Sequence, residues 1–163
     1  MRHRTLLGRL LQAALFSLLV LSLAGSIARA QAPAQEAALA LTAEDPQLEW
    51  GPCPPFLPAG CAIAVVHGDP SKDNVDVFFK LPARSILPLH WHTSAERMVL
   101  LAGELHVTYD GQAPVVLRAG SYAYGPAKLP HSGVCASAVP CVLFIAFESP
   151  LDAVAVVTAV RQP

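Results

Sequence analysis

The chain has 163 residues, 53% of them hydrophobic and 14% charged, with a formal net charge of −1. Four of its eleven basic residues (Arg2, Arg4, Arg9 and Arg29) and none of its twelve acids fall in the first thirty positions, so residues 31–163 carry seven cations against twelve acids, a net −5. A mildly acidic chain without a basic cluster lacks the footprint of a polyanion binder, which argues against nucleic acid as a partner.

The first thirty residues read as an address rather than as fold. Arg2, Arg4 and Arg9 precede an apolar run over 10–24, and Ala28-Arg29-Ala30 supplies the small-x-small pattern of a cleavage site. This is the layout of a secretory signal, with cleavage expected after Ala30. The apolar run is about fifteen residues where a membrane-spanning helix needs roughly twenty. No stable membrane anchor is therefore expected, and the mature chain is expected to be secreted or periplasmic. Its 133 residues suit one domain with one core.

Residues 31–47 are rich in Ala, Gln and Glu and hold no aromatic, so they read as a flexible tether with a helical turn near 36–41. A barrel domain is expected over 48–163. It opens on a turn-rich segment crowded with Gly51, Pro52, Pro54, Pro55, Pro58 and Gly60. Short β-branched or aromatic runs bounded by Gly, Pro and Asp then predict strands over 62–67, 75–81, 86–92, 97–101, 104–109, 115–117, 121–124 and 142–148. Asp110-Gly111 is a strong hairpin signal between two of them. Residues 151–160 fit either a last strand or a short helix. The class is all-β, and about eight strands closing into a double-sheet barrel is the economical architecture.

Four cysteines form two local pairs, Cys53 with Cys61 and Cys135 with Cys141. In an oxidising compartment disulfides between neighbours are the natural pairing, although four cysteines permit three connectivities. A four-cysteine zinc site fits poorly, because spacers of seven and five residues replace the usual two to four.

The chemistry concentrates in His90-Trp91-His92-Thr93-Ser94-Ala95-Glu96. Residues two apart on a strand share a face, so both imidazoles project one way and Trp91 the other. Glu96 heads the next apolar run and meets the imidazoles if the two strands are neighbours. Two nitrogen donors and one oxygen suit a divalent transition metal, and His131, after Pro126 and Pro130, is the candidate fourth donor. Met98 and Leu100 share the face of Glu96 by alternation and would give the metal an apolar wall. Tyr122 and Tyr124 share a face and are candidates for the barrel mouth, with sheet packing as the default. His67 and His106 read as turn or surface histidines, and Lys128 as a solvated loop lysine.

These residues resemble the two motifs of the cupin superfamily. In the first, G-x5-H-x-H-x3-E-x6-G, the chain supplies His90, His92, Glu96 and Gly103; in the second, G-x5-P-x-G-x2-H-x3-N, it supplies Gly120, Pro126 and His131. Arg84, Lys128 and Cys135 stand where the motifs have glycine, glycine and asparagine, which puts the shape of the adjoining turns in question. The resemblance implies a double-stranded β-helix (jelly-roll) barrel with one divalent metal (Fe, Mn, Zn, Ni or Cu) held by His90, His92, Glu96 and His131. It also implies pairing into a homodimer through exposed strands. Residues 67–96 are similar to small single-domain cupins and to the cupin half of zinc-binding anti-sigma factors, a likeness that carries fold and metal only.

Two functions follow from such a centre. One is a metal-dependent enzyme, an oxygenase or an isomerase/lyase, acting on a small polar molecule. The other is a non-catalytic module that binds a small molecule or a metal. No general base stands out beyond the metal set.

Overall fold

The computed structural model describes residues 36–157. The expected signal over 1–30, the first residues of the tether and the end of the 151–160 segment lie outside them. The chain divides into residues 1–39 and a second compact unit from Ala40 onward. Among the described residues there is no helix, and 36–41 carries no helical turn.

Eleven strands form two antiparallel sheets. They are β1 (Gly51–Pro52), β2 (Ala62–His67), β3 (Val75–Leu81), β4 (Ile86–Trp91), β5 (Glu96–Ala102), β6 (Glu104–Tyr109), β7 (Val115–Arg118), β8 (Tyr122–Gly125), β9 (His131–Cys135), β10 (Cys141–Phe147) and β11 (Val154–Ala155). One sheet has the order β1-β2-β3-β10-β5-β8 and the other β11-β4-β9-β6-β7. Every predicted strand is present within a residue or two. The structure adds β1, β9 and β11, and so resolves the 151–160 segment in favour of a short strand where it is described.

Alternation explains which side chains face inward. In β5, Glu96, Met98 and Leu100 are buried, as are Leu105, Val107 and Tyr109 in β6. They meet Val75, Val77, Leu143, Ile145 and Phe147 from β3 and β10 in a core between the sheets. A second, smaller core lies where Phe78 and Val142 pack with the buried Ala43 and the half-buried Leu41, Leu48 and Trp50. The segment from Leu41 to Trp50 therefore belongs to the packed unit, and the Lys80 ammonium sits 4.1 Å from the centre of the Trp50 ring. An apolar side chain on this stretch gains more by covering the sheet than by staying in water.

Two disulfides brace the barrel, Cys53–Cys61 and Cys135–Cys141, with Cα separations of 5.6 and 5.8 Å. The second joins β9 to β10 and thus one sheet to the other. In the chain-entropy picture loops this short contribute about 2–3 kcal/mol each.

Arg84 and Lys128, which replace motif glycines, have φ of 59° and 62°. The turns keep the left-handed conformation that glycine would accept freely, although a Cβ makes it unfavourable by about 1–2 kcal/mol. The substitutions changed the residue and left the turn.

Candidate metal centre

His90 and His131 are direct cross-strand partners on β4 and β9, with ring centres 4.3 Å apart. Simple alternation from the buried Leu87 would turn His90 outward. The β4–β9 register shifts between Leu87 and His90, so β4 carries one residue more than its partner and His90 is returned to the interior. Pro88 lies in this irregular stretch, where the loss of a backbone donor is tolerated.

His92 follows β4 immediately, and its ring centre lies 5.0 Å from that of His90 and 5.3 Å from that of His131. One ring nitrogen from each of the three histidines falls within 4.8 Å of the other two. Glu96 opens β5, and its carboxylate reaches to 3.3 Å from His131 Nε2 and 3.7 Å from His92 Nε2. That approach is open because β8 presents Gly125 opposite Glu96. A Cβ at Gly125 would lie 2.6 Å from Glu96 Oε1.

Each imidazole is fixed by a backbone carbonyl. His90 Nδ1–H donates to Pro88 O (2.7 Å), His92 Nδ1–H to Asp152 O (2.5 Å) and His131 Nδ1–H to Leu129 O (3.2 Å). These bonds set the tautomer and leave each Nε2 lone pair free, the arrangement that metal-ligating histidines adopt. Asp152 is itself held, since its carboxylate accepts from the Thr93 N–H (2.8 Å) and hydroxyl (2.5 Å). Ser94, also buried, accepts from the N–H groups of Glu148 and Ser149 and so ties the turn before Glu96 to the end of β10.

The electrostatics are those of a site built for a cation. Burial lowers the His90 and His131 pKa values to about 4 and about 3, and lowers that of His92 as well, so all three are neutral at pH 7. Burial pushes Glu96 up to about 8, and its Oε1 has no hydrogen-bond partner. A buried carboxylate oxygen without a donor is costly. Without a cation Glu96 therefore keeps its proton at pH 7, whereas a divalent ion among the three neutral Nε2 lone pairs would favour the charged form. The donor set therefore fits a divalent metal.

These side chains line one end of a cavity of about 270 Å³ between the sheets. Met98 lines it. Leu100 is fully buried in the core and is absent from the cavity wall. Tyr122 and Tyr124 are 61% and 52% exposed and do not reach the mouth, because the inward positions of β8 are Ala123 and Gly125. Pro52, Cys53, Pro54 and Leu57, and Leu151, Asp152 and Ala153, line the cavity where the two tyrosines do not. His106 bonds to Glu104 on the outer surface, and His67 and Lys128 are exposed.

Sequence reasoning missed Asp152, Ser94, Gly125 and Tyr109. Tyr109 is buried with its ring centre 5.2 Å from that of His131, and its hydroxyl has no partner. Its inward position follows from alternation in β6. Nothing in the local sequence announces Asp152, which reaches His92 across sixty positions.

A family model described as cupin domain matches residues 77–147, a span that holds all four histidine and glutamate positions. Among solved structures, a DMSP lyase, DddQ, from Ruegeria pomeroyi is 22% identical with a TM-score of 0.57, over 66% of this chain and 60% of that one. An RmlC-like cupin from Shewanella frigidimarina is 23% identical with a TM-score of 0.53, over 64% of this chain and 86% of its own. KdgF from a Halomonas species is 20% identical with a TM-score of 0.51, over 64% and 87%. At these identities the likeness is one of fold, and the chain spans only 60% of the length of the lyase. No curated protein matches the sequence.

Proposed function

Because the chain belongs to the cupin superfamily, we propose that it is an exported protein that holds one divalent transition metal through His90, His92, Glu96 and His131 and uses it on a small molecule bound in the barrel. The observation that carries this reading is the set of three Nδ1–H bonds to backbone carbonyls around a buried carboxylate that lacks a donor. A bound ion would supply Lewis acidity and, where redox-active, oxidation chemistry. The residues of the chain orient and neutralise. Pro88, Asp152 and Leu129 present carbonyls that keep the three imidazoles in register, Glu96 contributes negative charge, and the apolar walls keep water out.

An oxygenase or isomerase/lyase is the enzymatic form of this reading. A binding module without turnover is the alternative, favoured by one observation: among the described residues, the cavity offers beyond the four donors only Asp152 as a titratable group, and its carboxylate is engaged by Thr93. Two disulfides support export to an oxidising compartment.

The test is metal content by elemental mass spectrometry on residues 31–163, purified from the export compartment without a histidine tag. About one equivalent, lost in His90→Ala/His131→Ala, is expected. A folded protein that takes up no metal would overturn the assignment. Dioxygen uptake or product formation by the loaded protein separates the enzyme from the module.

A further inference from the structure

The cavity walls carry information about the ligand that the four donors do not. Ile63, Phe79, Leu143 and Ile145 face it from one sheet, and Leu87 and Leu105 from the other. Among the described residues, no lysine, arginine, serine, threonine, asparagine or glutamine lines it. Among the described residues, every polar side chain that lines the space is at the metal end or is Asp152, whose carbonyl and carboxylate oxygens already accept from His92 and Thr93.

A ligand that fills this space must therefore place its polar atoms at the histidine end and nowhere else. Each hydroxyl buried elsewhere goes unpaired, which weakens binding by about five- to a hundredfold. Each methylene buried there strengthens binding by up to about fourfold. A second anionic group would find no cation along the walls. Size is bounded too: an apolar cavity of about 150 Å³ takes benzene, so 270 Å³ corresponds to about ten heavy atoms.

We infer that the ligand is a small amphiphile of about ten heavy atoms, with one metal-chelating head and an aliphatic or aromatic tail along the walls, rather than a sugar acid or another polyhydroxylated molecule. This rests on the metal-centre reading above and sharpens its substrate class, since a generally polar small molecule does not suit these walls.

Zinc-loaded protein titrated with straight-chain hydroxamates in a calorimeter tests it. Acetohydroxamate carries the chelating head alone, and octanohydroxamate adds six carbons. The longer probe is expected to bind at least about a hundredfold tighter, with the gain levelling off towards dodecanohydroxamate as the cavity fills. Gluconate is expected to bind no better than acetohydroxamate. If acetohydroxamate binds the loaded protein but affinity is flat with chain length, or gluconate matches octanohydroxamate, the tail assignment is overturned and the metal centre stands. If no metal loads, the metal-centre reading fails and takes this inference with it; if metal loads but neither acetohydroxamate nor octanohydroxamate binds, the ligand inference is overturned and the metal centre stands.

Discussion

Strands β10 and β4 line the same cavity from opposite sheets and are built in different ways. Strand β10 runs beside β3 through seven consecutive partner pairs, and Leu143, Ile145 and Phe147 reach the interior by plain alternation. Strand β4 breaks register between Leu87 and His90, and its one inward histidine needs the Pro88 carbonyl to hold it. An apolar side chain is satisfied by any close-packed wall. A buried imidazole needs a partner for Nδ1 and open space for Nε2, and regular pairing does not supply both. The regular wall stores stability, and the irregular one stores geometry.

The largest test of that contrast is Leu143→Ala. It should destabilise the protein by about 2–5 kcal/mol in chemical denaturation while metal content stays near one equivalent. Loss of metal at native conditions would mean that the two walls are not separable. The converse change is Gly125→Ala, which puts a methyl group where Glu96 now lies. It should cost about 1–3 kcal/mol from overpacking and also abolish stoichiometric metal binding, read by elemental analysis.

A pH series sharpens the comparison, because only the histidine end titrates. Between pH 4.5 and about 8 the folded metal-free protein keeps a proton on Glu96 that the unfolded chain has released, so stability falls as pH rises through that window. Below pH 6.5 the unfolded histidines take up protons that the buried ones refuse, so stability also falls as pH drops. Thermal denaturation of metal-free protein should therefore peak near pH 6.5, with a slope above it of about 1.4 kcal/mol per pH unit per proton. Glu96→Gln should remove the high-pH limb, and a profile unchanged by that substitution would count against the buried carboxylate.

Asp152→Ala leaves the carbonyl that holds His92 but removes the two bonds to Thr93 that anchor it. Metal affinity should fall about tenfold in competition with a chelator, with little change in fold stability. The smallest effect belongs to Lys128→Gly, which relieves a left-handed residue and should stabilise the protein by about 0.5–1 kcal/mol without touching the site.

Short-range order was legible in the sequence. β-Branched and aromatic runs bounded by Gly, Pro and Asp located the strands, period-two alternation put Glu96, Met98 and Leu100 on one face, and the cysteine spacing pointed to the two disulfides. The His90–His92–Glu96 interval, together with His131, marked a metal-type donor set by residue type and spacing. The residues that were misplaced or missed depend on pairing. Tyr122 and Tyr124 share a face, but which face is inward was decided by β8 lying beside β5, which needs small Ala123 and Gly125 on the inside. The packing of Leu41 and Ala43 depends on an outer patch of β3 and β10 that local composition cannot reveal.

What the sequence by itself determined is the raw chemistry: an all-β chain, two cysteine pairs, and three histidines and a glutamate of metal-binding type. Side-chain type and strand period are local properties and survive without knowledge of neighbours. What only the tertiary structure decided is how that chemistry is held and what it faces. The register shift that turns His90 inward, the Asp152 carbonyl on His92 and the apolar cavity beyond the donors all arise between residues far apart in sequence. Burial and hydrogen-bond partnership are created by chain closure, so they exist only once the two sheets have met.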